Sequence, residues 1–89
     1  MFYSIFVESS EQGAALRAIA DERRRQDRKW GVTTHPLDTH FRVLAEEFGE
    51  VVKALNEKES LDRVKEELIH TAACCVKMAE DIDRHHSKI

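Results

Sequence analysis

Two short stretches carry the residues best suited to chemistry: Glu46-Glu47-Phe48-Gly49-Glu50 and Glu66-Glu67-Leu68-Ile69-His70. Each places an ionisable pair three residues apart, Glu47 with Glu50 and Glu67 with His70. On a helix, residues at that spacing are surface neighbours, so each pair points one way. Carboxylates sharing a face repel, which costs stability unless a cation or basic group lies between them. Two such faces brought together make an oxygen-rich pocket for a hard divalent cation such as Mg²⁺. His70 stands where a fourth carboxylate would complete the pattern. The ordinary alternative is a solvated face, since Glu is a good helix former. Against it, Glu46 and Glu50 are like charges four apart, and only Lys53 and Arg63 are obvious counter-ions.

Helices must position these pairs. Over residues 38–56, Phe41, Leu44, Ala45, Phe48, Val51, Val52 and Leu55 recur at three- and four-residue steps, the clearest amphipathic pattern in the chain. Pro36 and Asp38 mark its start. A turn at 57–59 leads to Ser60, the N-cap of a helix to about residue 84. Its stripe is Leu61, Val64, Leu68, Ala72, Cys75, Val76, Ala79 and Ile82. An earlier helix spans about 10–28, with Ser9 or Ser10 as cap and Glu11 close behind. Its stripe is narrow (Leu16, Ile19, Ala20), and its end is basic: Arg23, Arg24, Arg25, Arg28 and Lys29. Trp30-Gly31 ends it. The short connection makes the second and third helices antiparallel neighbours. At about 100° per residue, Glu47 lies roughly a quarter turn from its stripe's centre, with Glu50 further round. Glu67 and His70 fall in matching sectors. That flank also holds Ala54, Thr71 and Cys74, which suits a second packing surface.

The 89 residues allow one domain. It divides into an apolar arm (1–9), a helical domain (10–85) and a tail (86–89). Charged residues at 35%, with three Gly and one Pro, favour an all-α protein over a sandwich. A chain this short buries only roughly 60–65% of its unfolded surface. The expected fold is an antiparallel helical bundle completed by homo-oligomerisation. A net charge of −3 gives no general attraction to nucleic acid or anionic membrane. The stretch from Phe2 to Val7 lacks the basic region and length of a signal peptide. Nothing approaches the ~20 apolar residues of a membrane span. Adjacent Cys74 and Cys75 read as small buried apolar residues in a reducing compartment. The expectation is a soluble, cytoplasmic protein.

The two acidic motifs, in this order, resemble the MazG-like branch of the all-α nucleoside triphosphate pyrophosphohydrolases, which carry ExxE on one helix and ExxD on the next. Gln26-Asp27-Arg28-Lys29-Trp30-Gly31, with His35-Pro36 downstream, resembles the start of small phage-type members. So does the Ala-rich stretch after His70. The resemblance covers residues 21–82. It implies that Glu47, Glu50 and Glu67 ligate Mg²⁺ and serve catalysis, with Glu46 and Glu66 as acidic support. It implies cleavage of a nucleoside triphosphate at the α–β linkage, by a dimer or tetramer of helical protomers. The same motifs make Gln26, Lys29 and Trp30 the candidates for substrate contact.

His70 departs from the family's Asp. Imidazole suits Zn, Cu, Fe or Ni better than Mg. The site then works with three carboxylates and water, takes another metal such as Mn²⁺, or keeps the fold without catalysis. Alternatively, His70 only hydrogen-bonds Glu67 or Glu50. The basic stretch 23–29 is either a solvated helix end or an attraction for phosphate. Trp30 either stacks a base or anchors its loop, the anchor being favoured slightly. His35 and His40 lack further ligands for zinc, and His85 and His86 lie in a fraying tail. The expected function is metal-dependent hydrolysis of nucleoside triphosphates. The alternatives are a MazG-fold nucleotide-binding regulator without turnover and a plain helical oligomerisation module.

Overall fold

A computed structural model describes residues 10–85, with side chains through 84. They form three helices: α1 (Glu11–Trp30), α2 (Leu37–Asn56) and α3 (Leu61–His85). No described residue lies in a strand. The apolar arm and the last residues of the tail, His86 included, lie outside the described residues.

Local chemistry sets the helix ends. Ser10 Oγ accepts from Gly13 N at 3.0 Å, and Ser60 Oγ accepts from Arg63 N at 3.1 Å, so both serines cap as expected. The first cap is therefore Ser10 rather than Ser9. Pro36, not Asp38, occupies the cap position of α2. Asp38 sits in the first turn, where its carboxylate complements the helix dipole. Gly31, at φ 79°, ends α1 in a backbone conformation that a side chain would disfavour. The turn after α2 is a Schellman motif. Lys58 N donates to Leu55 O, and Glu59 N donates to Ala54 O. Lys58, not glycine, takes the left-handed position at φ 55°.

The longest helix, α3, packs against both α1 and α2, while α1 and α2 do not pack on each other. The molecule is flat, 39 × 39 × 24 Å. Its radius of gyration of 14.6 Å exceeds the roughly 12 Å of a compact chain of this length.

The helices bury only part of the expected apolar stripes, Val51 and Val64 among them. The buried side chains are Val51, Ala54, Val64 and Ala73, together with Arg23, His40, Glu67 and Asp81. The stripe residues Phe41, Phe48, Leu55 and Leu68 are half or more exposed. The flank with small residues faces inward because Ala54 and Ala73 let the helix backbones approach. The polar groups buried there find partners, His40 with Asp81 and Glu67 with the more exposed Arg63. Arg23 is one of them: it pairs with Glu80 on α3 at 2.6 Å and with Asp27 at 3.0 Å. The basic end of α1 is therefore not uniformly solvated. Cys74 is half-buried, and Cys75 is exposed rather than buried.

Candidate functional site

All three helices send a side chain to one point. Glu47 of α2 and Glu67 and His70 of α3 bring ligand atoms within 4.8 Å of one another. Glu22 of α1 joins them, its Oε1 4.0 Å from His70 Nε2. On the other side of the ring, His70 Nδ1 lies 3.8 Å from Glu67 Oε1. The imidazole thus stands between carboxylates of two helices, at ion-pair rather than hydrogen-bond distance. Glu67 and Glu22 are largely withdrawn from solvent, with side chains 5% and 10% exposed.

Each carboxylate has its own electrostatic setting. Burial raises the proton affinity of Glu47 above the usual carboxylate range. His70 opposes that shift, and the charges of Glu67, Glu50 and Glu22 add to it. Glu22 is held below the usual range, chiefly by Arg25, whose guanidinium donates to it at 2.7 and 2.8 Å. Arg63 reaches Glu67 Oε1 at 2.9 Å and also pairs with Glu66. Glu50 is exposed and outside the group of converging ligand atoms, so it acts on Glu47 through charge alone. Of the four ligand candidates read from spacing, three converge. Glu46 is exposed, and Glu66 is engaged by Arg63.

Two carboxylates and an imidazole are a donor set that fits a divalent cation. The mixture suits Mn²⁺ and its first-row neighbours better than Mg²⁺, which prefers oxygen alone. Arg63 competes for one Glu67 oxygen.

A groove of about 360 Å³ opens beside this centre. Gln26, Val43 and Cys74 line it. Each lies four residues along its helix from Glu22, Glu47 and His70 respectively. The groove is therefore one helical turn, roughly 6 Å, from the carboxylate centre. Gln26 Nε2 bridges the two by donating to Glu22 Oε2 at 3.2 Å. Trp30 forms another wall and is 68% exposed, so it does not anchor its loop in the core. The anchor is a different contact: buried Asp81 Oδ2 accepts from His40 Nε2 at 2.7 Å and from His35 N at 3.0 Å. Lys29 does not line the groove, and its ammonium sits 5.0 Å from the Trp30 ring centre. Burial pushes the Cys74 thiol up to about 11, with Glu47 adding to the effect, so the groove wall holds a neutral thiol.

Spacing along single helices missed Glu22 and Asp81. Glu22 lies in a run dominated by arginine, and its one available signal was a position four residues before Gln26. Asp81 falls beside the apolar stripe of α3, and its partners are more than 40 residues away. Among the described residues, no helix is long and apolar enough to cross a membrane. No protein-family model, curated protein or solved structure matches the chain.

Proposed function

We propose that this chain is a metal-dependent nucleoside triphosphate pyrophosphohydrolase of the MazG-like kind, acting as a homodimer or homotetramer. The observation that carries the reading is the convergence of Glu47, Glu67 and His70, with Glu22 opposite, one turn from a groove walled by Trp30 and Gln26. A triphosphate needs positive charge at one end and its base needs a flat, partly apolar wall at the other. Two such regions at helical-turn separation suit a nucleotide.

Glu47, Glu67 and His70 would hold the cation, Mg²⁺ or Mn²⁺, with Mn²⁺ favoured by the imidazole. A cation held there would supply charge against the phosphate oxygens and would make a bound water more acidic. Glu47 would meet the cation as a carboxylate, so the proton of the attacking water passes to solvent. The water oxygen bonds to the α-phosphorus, and the bridging oxygen leaves with pyrophosphate. Trp30 offers a stacking face, which every base can use. Gln26 orients Glu22, and Lys29 adds positive charge beside the ring.

The regulator without turnover is the second reading. It is favoured by Arg63, whose pairing with Glu67 occupies an oxygen the cation needs. One assay separates the two. Purified protein is incubated with nucleoside and deoxynucleoside triphosphates and either Mg²⁺ or Mn²⁺, and the products are resolved. Equal amounts of monophosphate and pyrophosphate are expected. Metal-dependent binding without products would leave the regulator. Indifference of the thermal midpoint to metal and nucleotide would leave the oligomerisation module.

A further inference from the structure

We infer that Lys77 determines base specificity in the groove, its ammonium donating to a carbonyl oxygen on the edge of the base and so disfavouring adenine. The inference rests on the nucleotide reading above and adds to it which bases are taken.

Position comes first. Lys77 lines the groove and lies seven residues beyond His70 on α3, a rise of roughly 10 Å. The carboxylate centre is where a metal and the phosphates would gather, so Lys77 sits at the opposite end, where the base must lie. The loop over this end is held in place, because His35 N donates to buried Asp81. A donor on a held scaffold discriminates better than one on a loose loop.

Hydrogen-bond roles come second. Lys77 Nζ donates to Thr33 Oγ1 at 3.4 Å, a long bond that leaves further protons of the ammonium for a ligand. An ammonium has three donors and no acceptor. Thr33 Oγ1 also lies 3.1 Å from His35 Nε2. With its oxygen accepting from Lys77, Thr33 shares one further hydrogen bond with His35 Nε2, its direction set by the imidazole tautomer. Thr33 and His35 thus satisfy each other, and the ammonium is the group that faces the base edge. Guanine, hypoxanthine, uracil, thymine and cytosine all carry a carbonyl oxygen. At the ring position where guanine, hypoxanthine, uracil and thymine present that oxygen, adenine presents an amino group (as does cytosine). An ammonium held there meets donor with donor, and adenine's acceptors are its ring nitrogens, displaced from that position. Stacking on Trp30 accepts any base, so discrimination falls to this edge.

Inosine and adenosine test it, since they differ by a carbonyl against an amino group at one ring position. The full chain, free of metal, is titrated with each nucleoside by calorimetry and by fluorescence of Trp30, the single tryptophan. Inosine is expected to bind about tenfold tighter than adenosine. Lys77→Met should bring the two within about twofold, and Lys77→Arg should keep the preference. Equal binding, an adenosine preference or no binding of either nucleoside overturns the inference. So does displacement of inosine by pyrophosphate, which would make Lys77 a phosphate ligand. The two readings fail separately. An inosine preference without pyrophosphate release from any triphosphate would sink the enzyme alone. Turnover of adenosine and inosine triphosphates at equal kcat/KM would sink the specificity alone.

Discussion

Burial raises the proton affinity of the Glu47 carboxyl, and His70 only partly offsets it. A carboxyl whose folded-state pKa lies above its unfolded value contributes stability below the unfolded pKa and loses it as pH rises through the folded one. The metal-free protein should therefore lose stability as pH climbs through and just above the usual carboxylate range. Glu47→Gln should flatten that dependence and raise the neutral-pH thermal midpoint, as scanning calorimetry at several pH values would show. The opposite sign would mean that the Glu47 charge is stabilised in the fold. Metal binding must expel the same proton, so divalent-ion affinity should rise with pH. His70→Asp should tighten Mg²⁺ and weaken the Mn²⁺ preference. Unchanged Mg²⁺ affinity would remove His70 from the metal. Arg63→Gln, which frees a Glu67 oxygen, should tighten Mn²⁺ several-fold by calorimetry. At this scale the sequence was readable where the signal was local. Glu67 and His70 share one helix face, so spacing alone paired them. Glu22 is brought to them by the packing of α1 on α3, and no spacing along the chain encodes that.

Helix ends were as legible as the local pairs, because Ser10, Gly31 and Ser60 act within a few residues of themselves. Helix rotation was not. The inward face is chosen by side chains that meet only in the fold: Arg23 with Glu80, and His40 with Asp81. These contacts tie α1 and α2 to α3 and should be costly to lose. Arg23→Met strands partly exposed Glu80 and Asp27 and should cost about 2–3 kcal/mol in urea unfolding. Lysine should not replace it, since the guanidinium serves Gln26, Asp27 and Glu80 together. A loss below half a kcal/mol, read against the ~0–1 kcal/mol of surface pairs, would make it an ordinary surface pair. In the opposite direction, Lys58→Gly relieves the left-handed residue of the Schellman turn. It should stabilise by about 0.5–1 kcal/mol, the scale of a glycine's advantage at positive φ.

The described residues form a flat three-helix layer with much of the apolar stripes of α2 and α3 turned outward. Phe41, Phe48 and Leu55 on α2 and Leu61 and Leu68 on α3 are each at least half exposed. A monomer that leaves this much large apolar surface in water is poorly stabilised, and a second copy of the chain is the economical cover. Sedimentation should therefore give a dimer or tetramer. Phe48→Glu should shift it toward monomer without altering the helix content. A monomer at high concentration would refute the oligomer. The stripes were visible in the sequence, but not the surface they cover, because the alternation of apolar and polar residues is the same for a core and for an interface. What the three helices do together is tested most directly by pyrophosphate release from a panel of nucleoside triphosphates with Mn²⁺. The wild-type chain should release pyrophosphate and monophosphate in equal amounts, and Glu47→Gln should slow it by about 100-fold or more while still folding. No release by the wild type, or an undiminished rate in Glu47→Gln, would contradict the account.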